Sequence, residues 1–130
     1  MKKVSVVLLL VFGCCLSLNA SRKKNALPES VTSAKAIYVV NETVYKDVGD
    51  TAYEELEKWG RFKVVHERKS ADLILHFFAF GNNGGGGFGM FVTTADSDDR
   101  LFQTGKQWAV TPSGQVRKDI DAFEKWVDEK

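Results

Sequence analysis

Two histidines, His66 and His76, are the side chains of this 130-residue chain best suited to proton transfer near neutral pH or to holding a transition metal. Either task needs company: a nucleophile, a carboxylate or a third ligand within reach. If residues 61–67 and 71–80 form a hairpin turning near Lys69, position 66 opposes roughly position 72, so the two rings need not meet. A hydrogen-bonded strand histidine is the simpler reading of each. Asp96, Asp98 and Asp99 offer oxygen to a hard cation, but the calcium-loop spacing fails, with no Gly at its sixth place and no Glu at its twelfth. Aspartate also favours turns through bonds to its own backbone, which makes a plain turn the better reading. Gly84-Gly-Gly-Gly-Phe-Gly89 has the spacing of a dinucleotide fingerprint. That motif works by opening a helix onto a pyrophosphate, and here a strand pattern follows. No phosphate loop ending in Gly-Lys-Ser/Thr, no HExxH and no paired general acid and base is visible, so neither an enzyme nor a cofactor is expected. The alternative reading is a small-ligand or enzymatic module using the Gly-rich loop 81–89 with His76 or the Asp96–Asp99 turn.

The amino terminus reads as a transport signal. Lys2-Lys3 is a charged start, Val4 to Phe12 an apolar run, and Leu18-Asn19-Ala20 ends in the small residue a signal peptidase requires. Residues 1–20 are therefore expected to be a signal peptide cleaved after Ala20, leaving an exported periplasmic or extracellular protein. The competing reading makes Val11-Phe12-Gly13-Cys14 a lipoprotein site with lipid attached at Cys14, which would anchor the chain to a membrane. Cys14 and Cys15 are the only cysteines, so cleavage after Ala20 removes every thiol. It also removes Lys2 and Lys3, leaving 16 basic against 17 acidic residues and a charge of −1. Such balance gives no electrostatic reason to expect nucleic acid as a partner.

What must position any site is one α+β domain, expected over 36–130 after a flexible lead-in at 21–35. Ala36 to Val40 reads as a first strand. Asp50-Thr51 opens a helix, with a capping-box pattern from Thr51 to Glu54, an apolar face of Ala52, Tyr53, Leu56 and Trp59, and Gly60 at its end. Arg61 to Glu67 alternates as a strand, and Arg68-Lys69-Ser70 turns into Ala71–Phe80, whose near-continuous apolar run fits the centre of a sheet. Met90 to Thr94 and Leu101 to Val110 supply two more strands. From Thr111-Pro112 a helix repeats Val116, Ile120, Phe123 and Val127 at its own period, with Asp119 expected to point away from the core. The order β-α-β-β-β-β-α predicts a two-layer sandwich: a mixed sheet of about five strands with both helices on one face.

The strand ending at Val40, the helix holding Glu55-Leu56 and closing on Gly60-Arg-Phe-Lys-Val-Val65, and the strand Ala71-Asp-Leu-Ile-Leu75 together resemble a group of small α/β bacterial envelope domains. That group includes the amino-terminal domain of TolB and the curli-secretion lipoprotein domain. The resemblance covers most of residues 36–128, and the chain departs from the group in its Gly81–Gly89 loop. It implies a role in envelope assembly or protein interaction rather than catalysis.

Two helices cover one sheet face, which leaves the other to be explained. Strand alternation puts Ile74, His76, Phe78 and Phe80 there, beside Tyr38 and Val40 of the first strand. Large apolar groups gathered in water mark an association surface, so a protein partner or self-association is expected there, or cover by the glycine loop through Phe88.

Overall fold

The computed structural model describes residues 26–80, 87–105 and 109–130. The apolar run around Leu75 becomes strand β3 (Leu73–Ala79), third in a five-stranded sheet of order β2-β1-β3-β4-β5. Its place explains its composition, because a strand with neighbours on both sides reaches water only through its faces. β1 (Ala36–Asn41) lies parallel to both β2 (Lys63–Val65) and β3, while β3, β4 (Phe88–Thr94) and β5 (Arg100–Gln103) run antiparallel in succession.

Helix α2 (Lys46–Trp59) carries the chain from β1 to the outer edge, where β2 pairs. The 3-10 turn Arg68–Ser70 then returns it past β1 to become β3. The chain segments 61–67 and 71–80 are thus separated by β1 and form no hairpin. A parallel pair flanking one strand needs this crossover, and the alternation of each segment alone does not reveal it. Asp72 fixes the junction, since its Oδ2 accepts hydrogen bonds from the backbone N–H of Lys35 at 2.8 Å and Ala36 at 3.0 Å. Those two bonds hold its carboxyl below the ordinary range.

Three helices share one side of the sheet. Val31, Leu56, Val116, Ile120 and Phe123 belong to one core with Ile37, Val39, Leu73, Leu75 and Phe77. Trp59 closes it, edge-on to Phe62 at 5.3 Å and to Phe123 at 5.6 Å. Helix α3 (Pro112–Asp128) starts as its sequence implies, with Thr111 Oγ1 accepting from Gly114 N at 3.1 Å. Gly60 ends α2 in the left-handed region at φ 70°.

Four expectations need correction. Helix α2 begins at Lys46, not at Asp50-Thr51, and Thr51 lies buried within it. The chain enters the helix through Asn41, whose Oδ1 accepts from Thr43 N at 3.0 Å and whose Nδ2 donates to Tyr45 O at 2.8 Å. The extra turn buries Val48 completely, which outweighs the weak propensity of Gly49. Residues 27–35 are not a lead-in but part of the fold. Leu27, Val31 and Ala34 recur at helical spacing around the short helix α1 (Glu29–Thr32), and Arg61 ties its end by donating to Thr32 O at 3.2 Å and Ala34 O at 3.4 Å. Among the described residues the strands expected at 61–67 and 101–110 are Lys63–Val65 and Arg100–Gln103, shorter than the alternation suggests. Asp119 does not point outward. It sits between Val116 and Phe123 on the same helical stripe and is fully buried.

An open aromatic face as candidate functional site

Alternation along β1, β3 and β4 sends every second side chain to the side away from the helices. The register then decides which of them meet. Tyr38 lies beside Ile74 and Val40 beside His76; across the next pair, Ile74 lies beside Thr93, His76 beside Phe91 and Phe78 beside Gly89. On the outer strand Thr93 is paired with Arg100 and Phe91 with Gln103. Among the described residues no helix contributes to this side, because the buried residues of all three belong to the core on the other.

The rings form a continuous row. His76 and Phe91 stack at 4.5 Å with planes 10° apart, Phe91 and Phe78 lie 5.4 Å apart, and Phe78 meets Phe80 edge-on at 4.7 Å. The Arg100 guanidinium lies 4.1 Å from the centre of the Phe91 ring and 5.8 Å from that of Phe78, while its Nη1 donates to Gln103 Oε1 at 2.8 Å. A cation over an aromatic face is held by the ring's quadrupole, so Arg100 is oriented by the layer it partly covers. Gly89 forms the floor. A Cβ there would come within 2.8 Å of Phe80 Cζ and 3.1 Å of Phe78 Cζ, so only glycine lets both rings lie down on the sheet. Ile74 is fully buried, whereas Tyr38, Val40, His76, Phe78, Phe80 and Phe91 are half-buried. β3 is therefore sealed on both faces only in its first half.

His76 contributes apolar surface more than acid-base chemistry. Burial, and then the charge of Arg68, push its pKa below the ordinary value, which favours the neutral ring. Its Nε2 lies 3.2 Å from Thr93 Oγ1. His66 is on the helix side of the sheet, its ring tilted 36° against that of Tyr53 at 5.4 Å. Among the described residues no group of three His, Cys, Asp or Glu side chains is placed to hold a metal ion. In the 96–99 turn Asp99 N donates to Ser97 Oγ at 3.0 Å, a local bond of the kind that makes such turns.

Phe88 requires a correction. Paired with Ala79, it has the phase of Phe77 rather than Phe78, and it is buried in the helix-side core at 6.2 Å from Phe77 and 6.4 Å from Tyr45. It cannot cover the open face. Cys14 and residues 81–86 of the glycine loop lie outside the described residues.

A polar depression of about 200 Å³ lies between the end of α1 and the start of β3, lined by Ser30, Ser33, Asp72, Thr94 and Asp96. Small-molecule sites usually begin at about 300 Å³. Its chief groups are already engaged, Asp72 by the two backbone amides and Ser33 through its hydroxyl, which donates to Glu29 O at 2.7 Å. The apolar face, not this depression, is therefore the candidate site.

Compared with protein-family models and with curated proteins, the chain matches none. Among the described residues no helix is long and apolar enough to cross a membrane.

Phe91, Thr93, Gly89 and Arg100 are members of the site that reading the sequence missed. Phe91 and Thr93 alternate correctly within Met90–Thr94, but their facing depends on where β4 begins after the glycine run. Arg100 depends further on a register shift between Val92 and Thr93, which no spacing announces.

Proposed function

We propose that this chain is an exported, non-enzymatic cell-envelope interaction domain that grips a protein partner with the open face of its sheet. The observation that carries this reading is the row His76, Phe91, Phe78 and Phe80, packed together on the side of the sheet away from the described helices and bounded by Arg100. Interfaces concentrate their energy in buried aromatic and arginine side chains, and this face offers both, already packed against one another. Preordered rings lose little side-chain freedom on docking. The charged start, apolar run and small residue of positions 1–20 support export, and the likeness to envelope domains in strand, helix and strand pattern supports the compartment.

The test is site-specific photo-crosslinking in envelopes of producing cells. A photoreactive phenylalanine at position 78 should give a discrete higher-mass adduct, which a second substitution, Phe91→Ser, abolishes. The same probe at the exposed Val110 should give none. Equal adducts from both positions, or an adduct indifferent to Phe91→Ser, would overturn the reading. An adduct of twice the chain's mass would identify a second copy as the partner.

A further inference from the structure

Helix α3 carries its only fully buried acid, Asp119, on the stripe that faces the sheet. One turn earlier Gln115 is buried too, and its Nε2 donates to Asp119 Oδ1 at 3.2 Å. Each group then has one oxygen left over: among the described residues neither Asp119 Oδ2 nor Gln115 Oε1 has a partner at hydrogen-bond geometry. The Thr104 hydroxyl, which acts on Asp119 from nearby, is engaged with Met90, accepting from its N at 3.1 Å and donating to its O at 3.3 Å. Two buried acceptors without a donor between them are costly, each by the full desolvation of the group. The remedy is one proton. A carboxylic acid and a primary amide are complementary: the amide N–H donates to the acid C=O, and the acid O–H donates to the amide C=O.

We propose that Asp119 and Gln115 form a proton-closed pair, in which a proton on Asp119 Oδ2 donates to Gln115 Oε1, and whose ionisation loosens the seating of α3 on the sheet. The proton is the ligand of this site. On ionisation the Oδ2–H bond breaks, the proton leaves to solvent, and a charge with two orphaned oxygens beside it remains in the core.

Among the described residues the surroundings provide no compensating cation. Gln115 acts from the same helix, and Thr104 acts from the segment after β5, where its Oγ1 accepts from Met90 N at 3.1 Å. β4 contributes Met90 and Val92 to the core. On the neighbouring helix Glu55 is paired at the surface with Lys58 and with Arg117, and Asp121 with Lys125 farther along α3. Arg117 and Lys118 next to Asp119 in the chain are exposed, and Arg100 of β5 lies on the opposite face of the sheet. Burial accordingly raises the Asp119 carboxyl from 3.8 to about 6, with Gln115 and then Thr104 acting in the opposite sense. Because the folded value is the higher one, the stabilisation is complete below 3.8 and is lost as pH rises through about 6.

Two measurements on the chain lacking residues 1–20 decide the matter. The side-chain carboxyl carbon of Asp119, followed by NMR, should titrate with a midpoint near 6; a midpoint at or below 4 overturns the proposal. In urea unfolding, the wild-type unfolding constant should rise on the order of tenfold between pH 5 and pH 7.5, relative to Asp119→Asn at the same pH values. The asparagine closes the same two-bond ring without a proton, so it should equal the wild type below pH 3.8, exceed it at pH 5 and exceed it further at pH 7.5. Asp119→Leu has no bond to offer Gln115 and should fall below Asp119→Asn at both. A pH-independent difference between wild type and Asp119→Asn, or equal stability of the leucine and asparagine variants, would refute the pair. If neither variant folds, the carbon titration of the wild type decides alone.

Discussion

Replacing Gly89 by alanine puts a single methyl group into the floor of the aromatic layer and tests the site without touching the core. The new Cβ would stand 2.8 and 2.9 Å from Cζ and Cε2 of Phe80 and 3.1 Å from Cζ of Phe78. Carbon atoms in contact rest at about 3.5–4.0 Å, so both ring tips must retreat by roughly 0.5–1 Å. These are the far ends of side chains that rotate, and leaning each ring off its preferred rotamer costs about 0.5–1.5 kcal/mol. Alanine recovers about 0.5–1 kcal/mol, because a glycine in a strand loses more freedom on folding. The net loss is thus about 0–2.5 kcal/mol, which at an m-value of about 1–3 kcal/mol/M moves a urea midpoint by at most roughly 0.8–2.5 M. The rings should move far more than the stability does. NMR of the Phe78, Phe80 and Phe91 ring protons should show large shifts, and the crosslink from position 78 should weaken, while the rest of the spectrum stays folded. Unmoved ring resonances would show that Phe78 and Phe80 do not lie over Gly89. A stability loss of the size of a core cavity would show that this face belongs to the core.

Leu75→Ala removes a fully buried side chain from the centre of the sheet and should cost about 2–5 kcal/mol, read as a strong drop in the unfolding midpoint. Thr111→Ala deletes the acceptor for Gly114 N at the start of α3 and should cost about 1 kcal/mol; an unchanged midpoint would mean that water satisfies the amide equally well.

How far the sequence discloses this molecule depends on the range of the interactions that decide each part. Leu73, Leu75 and Phe77 against Ile74, His76 and Phe78 could be sorted to their two sides from period-two alternation alone, because a strand's pleat is local. The parallel pairing of β2 with β1 could not, since it depends on where α2 delivers the chain. Asn41 shows a different failure: its side chain, five residues before Lys46, organises the approach to α2, whereas Thr51 and Glu54 carry a start signal that the burial of Val48 overrides. The side that Phe88 faces is not legible, because the residue after a glycine run has no fixed phase until its partner strand is known. Asp119 shares the stripe of Val116 and Phe123, but an aspartate is rarely fully buried, so its type and its spacing point to opposite sides of the helix.

The two outer strands of the sheet, β2 with three residues and β5 with four, carry a consequence for how this protein meets others. A strand edge recruits foreign chains by offering a ladder of unpaired amides and carbonyls, and long flat edges are where amyloid-like stacking begins. Here one edge is three residues long and begins at an exposed lysine, Lys63. The other opens with Arg100 beside a register shift that twists it out of line. Neither offers enough backbone to template an added strand. On the proposed function, recognition is written in side chains rather than in main-chain hydrogen bonds, which makes it sensitive to single substitutions on the open face and does not draw on the short strand edges.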